Sequence, residues 1–344
     1  MQSKVCQTQV YRDRVKNKDN KLIPNEIKED KKISLRPKKI QEFIGQENIK
    51  SNLNTFIESS IKTKKNLDHI ILYGPPGLGK TTLANIISHE KNVNIHATSG
   101  PAFTKKGDLV TLLSNLSDGD ILFIDEIHRL SPIIEESLYP AMEDFKCDYI
   151  IGSGPSARVM QISIEKFTLI GATTRLGLLS RPLRDRFGIP LQLEFYNPNS
   201  LKEILILNAR KLEVEIESPA AFEIAKRSRG TPRIAIRLLK RIIDFSIVQN
   251  SKNINMNIVL ESLKQMRIDS EGLDEMDRKY LKCISIDYNG GPVGIETISA
   301  ALLEQRDIIE DVIEPYLMQR GLVQRTSRGR ILSERGSNHI THIN

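Results

Sequence analysis

Residues 74–82 read Gly-Pro-Pro-Gly-Leu-Gly-Lys-Thr-Thr, and the five residues before them, His69–Tyr73, form a short apolar run. Gly74, four intervening residues, then Gly79, Lys80 and Thr81 match the full phosphate-loop pattern. Gly77 and Gly79 let backbone N–H groups turn inward and approach an anion, and a helix starting near Thr81 points its positive end at the same place. In that arrangement Lys80 reaches the β- and γ-phosphates of a nucleotide. The Thr81 hydroxyl ligates Mg²⁺, and Thr82 stands beside it at the helix start. A plain Gly-Pro turn joining strand to helix is the alternative. Strand, loop and helix in the required order favour phosphate binding.

Working outward, residues 121–124 (ILFI) read as a second buried strand ending at Asp125 and Glu126, 45 residues after Lys80. A carboxylate pair after an apolar strand is often only a solvated turn. Beside a phosphate loop it instead supplies Asp125 to hold Mg²⁺ and Glu126 to orient or deprotonate the attacking water. Residues 167–172 make a third strand and 191–195 a fourth. Strands alternating with helices predict a parallel sheet covered by helices on both faces. Thr173 or Thr174 closes the third strand and either touches the γ-phosphate or caps the next turn. Two alternating runs around Gly-Ser-Gly-Pro predict a hairpin over 149–164. Arg184 and Arg186 in PLRDRFG fit a solvated pair equally well by spacing. Arg233 follows Gly-Thr-Pro at a helix start, where a cation opposes the dipole; that mismatch suggests that it faces an anion.

Bulk properties narrow the class. The chain has 344 residues, which predicts two or three domains. With 39% hydrophobic and 27% charged residues, each domain is able to bury a core. No run of 18 apolar residues occurs, so no membrane span is expected. The polar N-terminus has no apolar signal core, and Cys6, Cys147 and Cys283 fit neither a disulfide framework nor a paired-thiolate metal site. These features predict a cytoplasmic protein. The net charge of +7 resides entirely in residues 1–39, which hold 12 Lys/Arg against 5 Asp/Glu. The pI is therefore weak evidence for nucleic acid. Five Arg against one Glu over 318–335 is a local basic excess and carries more weight.

Residues 1–34 are polar and aperiodic and are expected to be disordered. A large domain is expected over 35–197 and a small helical domain over 198–268. A third unit, 269–335, shows helices near 279–286, 294–303 and 308–320, then two short strands around Ser-Arg-Gly; that outline predicts a winged helix. Residues 336–344 are expected to be a flexible tail, with no metal site at His339 and His342.

The order of these pieces resembles the bacterial RuvB branch-migration motors, AAA+ ATPases that act on Holliday junctions. The resemblance covers about residues 33 to 335. LRP (35–37), FIGQE (43–47), GPPGLGKTTLA (74–84), LFIDEIHRL (122–130) and AMEDF (141–145) carry it. So do GATTR (171–175), PLRDRFG (182–188), RSRGTPRIA (227–235), GPVG (291–294) and the block 309–330. The phosphate loop and the Asp-Glu pair are common to all AAA+ proteins, whereas GATTR, PLRDRFG, RGTPRIA and the last block are much narrower. The resemblance implies an α/β P-loop AAA+ domain, a helical lid and a winged-helix head, assembled as a homo-hexameric ATP- and Mg²⁺-dependent motor on duplex DNA.

The resemblance also implies roles by position. It places Leu35 and Arg36 by the adenine, and Glu143, Asp144, Phe145 and Tyr196 along the nucleotide pocket. Thr173 or Thr174 becomes sensor 1 and Arg233 sensor 2, with Arg186 as the arginine finger given to a neighbouring subunit. The 149–164 hairpin would dock on a RuvA-like junction-binding protein, and a RuvC-like resolvase is a further partner. Arg306, Arg325 and Arg330 would contact the DNA backbone. Arg181 and Ile236 depart from the pattern. A clamp-loader-like or protein-remodelling AAA+ ATPase is the rival reading, and the basic wing and the hairpin favour DNA.

Overall fold

The computed structural model describes residues 35–151 and 158–343. Five parallel strands build the central sheet: β1 (Ile70–Tyr73), β2 (Ile95–Ser99), β3 (Ile121–Asp125), β6 (Thr168–Thr173) and β7 (Ile189–Gln192), in the order β2-β3-β6-β1-β7. β1 lies between β6 and β7, with Ile70 opposite both Ile170 and Ile189. Alternate residues face opposite ways, as the period of a strand requires. Ile70 and Leu72 pack with α1 (Glu47–Thr63) and α2 (Lys80–Lys91). Ile71, Leu122 and Ile124 pack with α3 (Lys106–Ser114), α4 (Pro132–Glu143) and the short α5 (Arg181–Asp185). The expected doubly covered parallel sheet is present.

Two strands depart from expectation. β2 was not anticipated: its sequence IHATS is half polar, and as an edge strand it is only half-buried. The fourth strand, expected over 191–195, runs over Ile189–Gln192 instead. It too is an edge strand, where Pro190, lacking an N–H, is tolerated. Leu193 N–H makes the last bond to β1, at Tyr73 O; the next residue, Glu194, exchanges hydrogen bonds with the Gln46 side chain instead. The expected hairpin is antiparallel, β4 (Lys146–Ile151) on β5 (Arg158–Ser163), and starts three residues earlier than 149. Its turn, with the Gly-Ser-Gly-Pro signal, lies outside the described residues.

Four helices follow: α6 (Pro198–Lys211), α7 (Ser218–Lys226), α8 (Pro232–Val248) and α9 (Met256–Gln265). Leu201, Leu205, Ile224, Leu238 and Leu239 from these helices join the core under α1 and α2.

The last unit has its own core, which includes Leu273, Tyr280, Ile298, Ile309, Leu317 and Val323. It contains α10 (Glu275–Lys282), α11 (Ile295–Leu302), and a third helix, α12, over 306–319, whose middle turn, Ile309–Ile313, is widened to π geometry. The antiparallel strands β8 (Val323–Thr326) and β9 (Gly329–Leu332) follow, with Val293 pairing its backbone to Arg330. This is a winged helix. The tail is not the flexible segment expected. It folds as α13 (Glu334–Ile343), capped by Ser333, whose Oγ accepts from Gly336 N–H at 3.0 Å. Ile340 is buried in the winged-helix core, and His339 Nε2 lies 3.0 Å from Asp269. Ile340 in the core, His339 on Asp269 and Arg335 on Glu271 at 3.4 Å hold this amphipathic helix against residues distant in sequence.

Among the described residues no helix is long and apolar enough to cross a membrane, and no cluster of His, Cys, Asp and Glu is fit to hold a metal alone. Cys147 and Cys283 are buried free thiols.

Candidate functional site

The phosphate loop follows the C-terminal end of β1, where open α/β sheets bind ligands. Gly74 N–H donates to Thr173 O, tying the loop to the end of β6. Lys80 opens α2, and its Nζ donates to Gly74 O at 2.7 Å and Pro75 O at 2.9 Å. Burial lowers the Lys80 pKa to about 8, against the opposing pull of the Asp125 carboxylate; Arg233 lowers it further. Thr81 and Thr82 are half-buried in the first turn. Asp125 closes β3, and its Oδ1 accepts from Glu126 N–H at 3.0 Å. A hard-oxygen set of Thr81 hydroxyl and Asp125 carboxylate next to an ammonium fits Mg²⁺-nucleotide chemistry.

Glu126 adopts left-handed backbone angles (φ 48°, ψ 44°), sparsely populated for a side-chain-bearing residue and frequent at active sites. Gly100 helps to enforce them. A Cβ at Gly100 would stand 2.5 Å from Glu126 O, so only glycine lets the segment after β2 press this closely. The Glu126 carboxylate pairs with Arg129 at 3.0 Å and is half-exposed.

Two elements outside the sheet close the loop. Arg233, at the start of α8, donates its N–H to Gly77 O at 3.3 Å. A Cβ on Gly77 would meet the Arg233 Cβ at 3.0 Å, and φ is +82° there, so glycine is needed on both counts. Tyr196 is buried, and its hydroxyl donates to Leu78 O at 3.2 Å. The lid helix and the lid's leading segment therefore rest directly on the phosphate loop. Arg36 is exposed and forms no hydrogen bond or ion pair among the described residues; Leu35 is the first residue described.

At the end of β6 the two threonines differ. Thr173 is buried, shares a 2.9 Å hydrogen bond with His128 Nδ1, and accepts from Arg175 N–H at 2.9 Å. Its hydroxyl is already engaged. Thr174 is half-buried, with no side-chain hydrogen bond among the described residues. Burial holds His128 below its ordinary pKa, against the pull of the Glu126 and Asp311 carboxylates.

Arg186 sits elsewhere. Its guanidinium stacks over Tyr139 at 4.4 Å, donates Nη2 to Glu143 at 3.1 Å and Nη1 to Pro182 O at 2.8 Å, and leaves Nε buried without a partner. It lines a cleft of about 660 Å³ together with Lys64–His69, Asp118, Lys166, Phe167 and Gly188, residues that precede β1, β3, β6 and β7. Arg186 is therefore at the N-terminal edge of the parallel sheet, and the phosphate loop is at the C-terminal edge. Strands of four to six residues span roughly 13–20 Å at about 3.3 Å per residue. Glu143 and Phe145 share the Arg186 edge: Glu143 pairs with Arg186, and Phe145 lines the cleft. His69 fixes this corner through Met142 O (3.0 Å) and Leu169 N–H (2.9 Å). Asp144 caps the end of α4 beside them. Arg181 is exposed and only loosely paired with Asp185, at 3.7 Å.

In the winged helix, the three arginines converge on Glu310 of α12, and two of them also meet Glu314. Arg330 is buried, with Nε 2.7 Å from Glu314 and Nη2 2.9 Å from Glu310. Arg325 is half-exposed and contacts the same carboxylates at 2.7 and 3.3 Å. Arg306 pairs with Glu310 and Glu296, both at 3.2 Å. Burial opposes ionisation of Glu310, but the hydrogen bonds from Arg306 and Arg330 outweigh it and hold its pKa below the usual carboxylate value. Sequence reading did not foresee these glutamate partners, because nothing local distinguishes Glu310 and Glu314 from other acidic residues on the helix.

A phosphate loop with Asp-Glu partners on a parallel sheet, a lid whose arginine touches that loop, and an appended winged helix define a P-loop ATPase of the AAA+ class. Three family models match in succession: the Holliday junction DNA helicase RuvB P-loop domain over residues 35–193, the RuvB AAA lid domain over 196–269, and the RuvB C-terminal winged helix domain over 270–341. The chain is 54% identical over 321 residues to the Holliday junction branch migration complex subunit RuvB of Rickettsia africae (strain ESF-5), covering 93% of this chain and 94% of that protein. The solved Thermotoga maritima RuvB Holliday junction branch migration motor superposes with a TM-score of 0.83 at 52% identity, covering 89% of this chain and 98% of that one. A point mutant of it gives 0.84. The chain belongs to the RuvB family of Holliday junction branch migration ATPases.

Proposed function

We propose that the chain works as a hexameric ring that holds ATP and Mg²⁺ between neighbouring copies and drives duplex DNA through a four-way junction. The observation that carries this is the separation of Arg186 from Lys80 by the length of the sheet. An arginine at the far edge cannot reach its own nucleotide, but in a head-to-tail ring it meets the neighbour's. Glu143, Asp144 and Phe145 share that edge, so they belong to the same shared pocket from the donor side. On the receiving side Lys80 holds phosphate oxygens, Thr81 and Asp125 hold the metal ion, Glu126 orients water, and Thr174 touches the γ-phosphate. Leu35, Arg36 and Tyr196 border the base, and Arg233 reports the bound state to the lid. An arginine supplied in trans is worth about 10³–10⁵ in rate, or roughly 4–7 kcal/mol.

The half-exposed Arg325, with Arg306, is the better candidate for phosphate contact; Arg330 acts from the interior by holding the wing. DNA contact is with the backbone, as a motor stepping along any sequence requires. The β4–β5 hairpin is the docking element for a RuvA-like junction-binding protein. A RuvC-like resolvase would act on the same complex, in the cytoplasm.

The test is to mix Lys80→Ala with Arg186→Ala. One variant keeps a finger and the other keeps a pocket, so mixed rings should regain ATPase activity that neither has alone. Mixed rings as inactive as each parent would sink the trans assignment.

A further inference from the structure

The end of β6 is tied to the winged helix by one side chain that the nucleotide site does not use. Arg175 follows Thr173 by two residues, and its N–H donates to Thr173 Oγ1 at 2.9 Å. Thr173 in turn bonds His128, two residues beyond Glu126. The backbone of Arg175 is thus fixed to the catalytic edge of the sheet. Its side chain leaves that edge and crosses to α12: Nε donates to Asp311 at 2.7 Å and Nη2 to Asp307 at 3.0 Å. Arg175 and Asp311 are both about three-quarters buried, whereas Asp307 is mostly exposed, so Asp311 is the main anchor.

Asp311 is adjacent to Glu310, which holds Arg306, Arg325 and Arg330. Successive helical residues project in different directions. One short stretch of α12 therefore gives Asp311 to the ATPase unit and Glu310 to the basic wing. That stretch is the π-widened turn Ile309–Ile313, a geometry that is rare and often found at functional positions.

We propose that Arg175 is a positioning residue that couples the two activities: through Asp311 it sets the 309–313 turn, and with it the orientation of the wing arginines, according to the state of the nucleotide site. This rests on the reading above that the wing faces DNA.

The experiment uses the full chain with Arg175→Ala, measuring basal ATPase, ATPase with linear duplex, and duplex affinity with a non-hydrolysable ATP analogue and with ADP. Basal ATPase should stay within about twofold. Stimulation by duplex should fall at least about fivefold, the lower range of typical site-to-site coupling, and the two duplex affinities should become equal. Asp311→Ala should do the same. The exchanged pair Arg175→Asp with Asp311→Arg should recover at least half of the stimulation, and Arg175→Lys should be intermediate. The recovery distinguishes coupling from loss of fold.

Unchanged stimulation in Arg175→Ala would overturn the proposal. So would an equal loss of basal and stimulated rates, or a double exchange no better than the single changes. Arg325→Ala is measured alongside: if it leaves duplex binding intact, the wing reading has failed, separately from any result on Arg175.

Discussion

At the residue scale, the phosphate loop was legible because every constraint on it is local. A turn needing glycine at 77, a lysine one residue after Gly79 and a helix start occupy nine consecutive positions. The environment of Lys80 was not legible, because its burial comes from the whole site. That burial has a measurable result. Burial lowers the Lys80 pKa to about 8, and the negative charge of a bound phosphate should raise it again. Above that pH, nucleotide binding must take up a proton, so affinity should fall, by about tenfold between pH 7 and pH 9. Calorimetric titration across this range checks it, and in Lys80→Arg, which stays charged, the profile should be flat. Gly100 is another residue that only the fold exposes. Adding a methyl group there should displace Glu126, lowering kcat by about tenfold or more while leaving nucleotide affinity within about threefold. Steady-state kinetics of Gly100→Ala beside Glu126→Gln would show the shared signature; a normal kcat would refute the steric argument.

At the element scale, strands that are buried on both faces announced themselves as apolar runs; of the edge strands, β2 gave no such signal and β7 gave one displaced by two residues. β2 and β7 have one open side, so polar residues and Pro190 are tolerated and the periodic signal is diluted. The C-terminal helix was missed for a related reason: Ile340 docks into a core built by residues up to 67 positions away. The wing shows the same limit on the functional side. Arg325 and Arg330 look alike in sequence, yet one is half-exposed and the other buried. Arg330→Ala leaves the buried Glu314 carboxylate with only the half-exposed Arg325 and the Tyr280 hydroxyl, so it should destabilise the winged helix by about 2–3 kcal/mol, read from urea unfolding of the full chain. Arg325→Ala should cost less, about 1 kcal/mol, because its guanidinium is half-exposed and Arg330 still neutralises Glu314. It should also weaken duplex binding and flatten the slope of log affinity against log salt. If Arg330→Ala unfolded like the parent chain and bound DNA poorly, the two assignments would have to be exchanged.

At the scale of the whole molecule, Lys80 and Arg186 lie at opposite edges of the sheet, and the proposed function joins them in one ATPase site across neighbouring copies. Turnover should therefore depend on assembly. Specific ATPase activity should fall steeply as the protein is diluted below the concentration at which rings form, and constant activity per chain in parallel with monomeric sedimentation would contradict the shared site. Sequence alone determined the nucleotide chemistry, the parallel sheet and the three-unit order, because glycine turns, apolar runs and carboxylates at strand ends are short-range signals. Tertiary structure decided that the Thr173 hydroxyl is engaged by His128 and Arg175, which wing arginine meets solvent, that Arg186 lies across the sheet from Lys80, and that Arg175 reaches Asp311 136 residues away. These depend on burial and on pairs distant in sequence, and no window along the chain contains both partners.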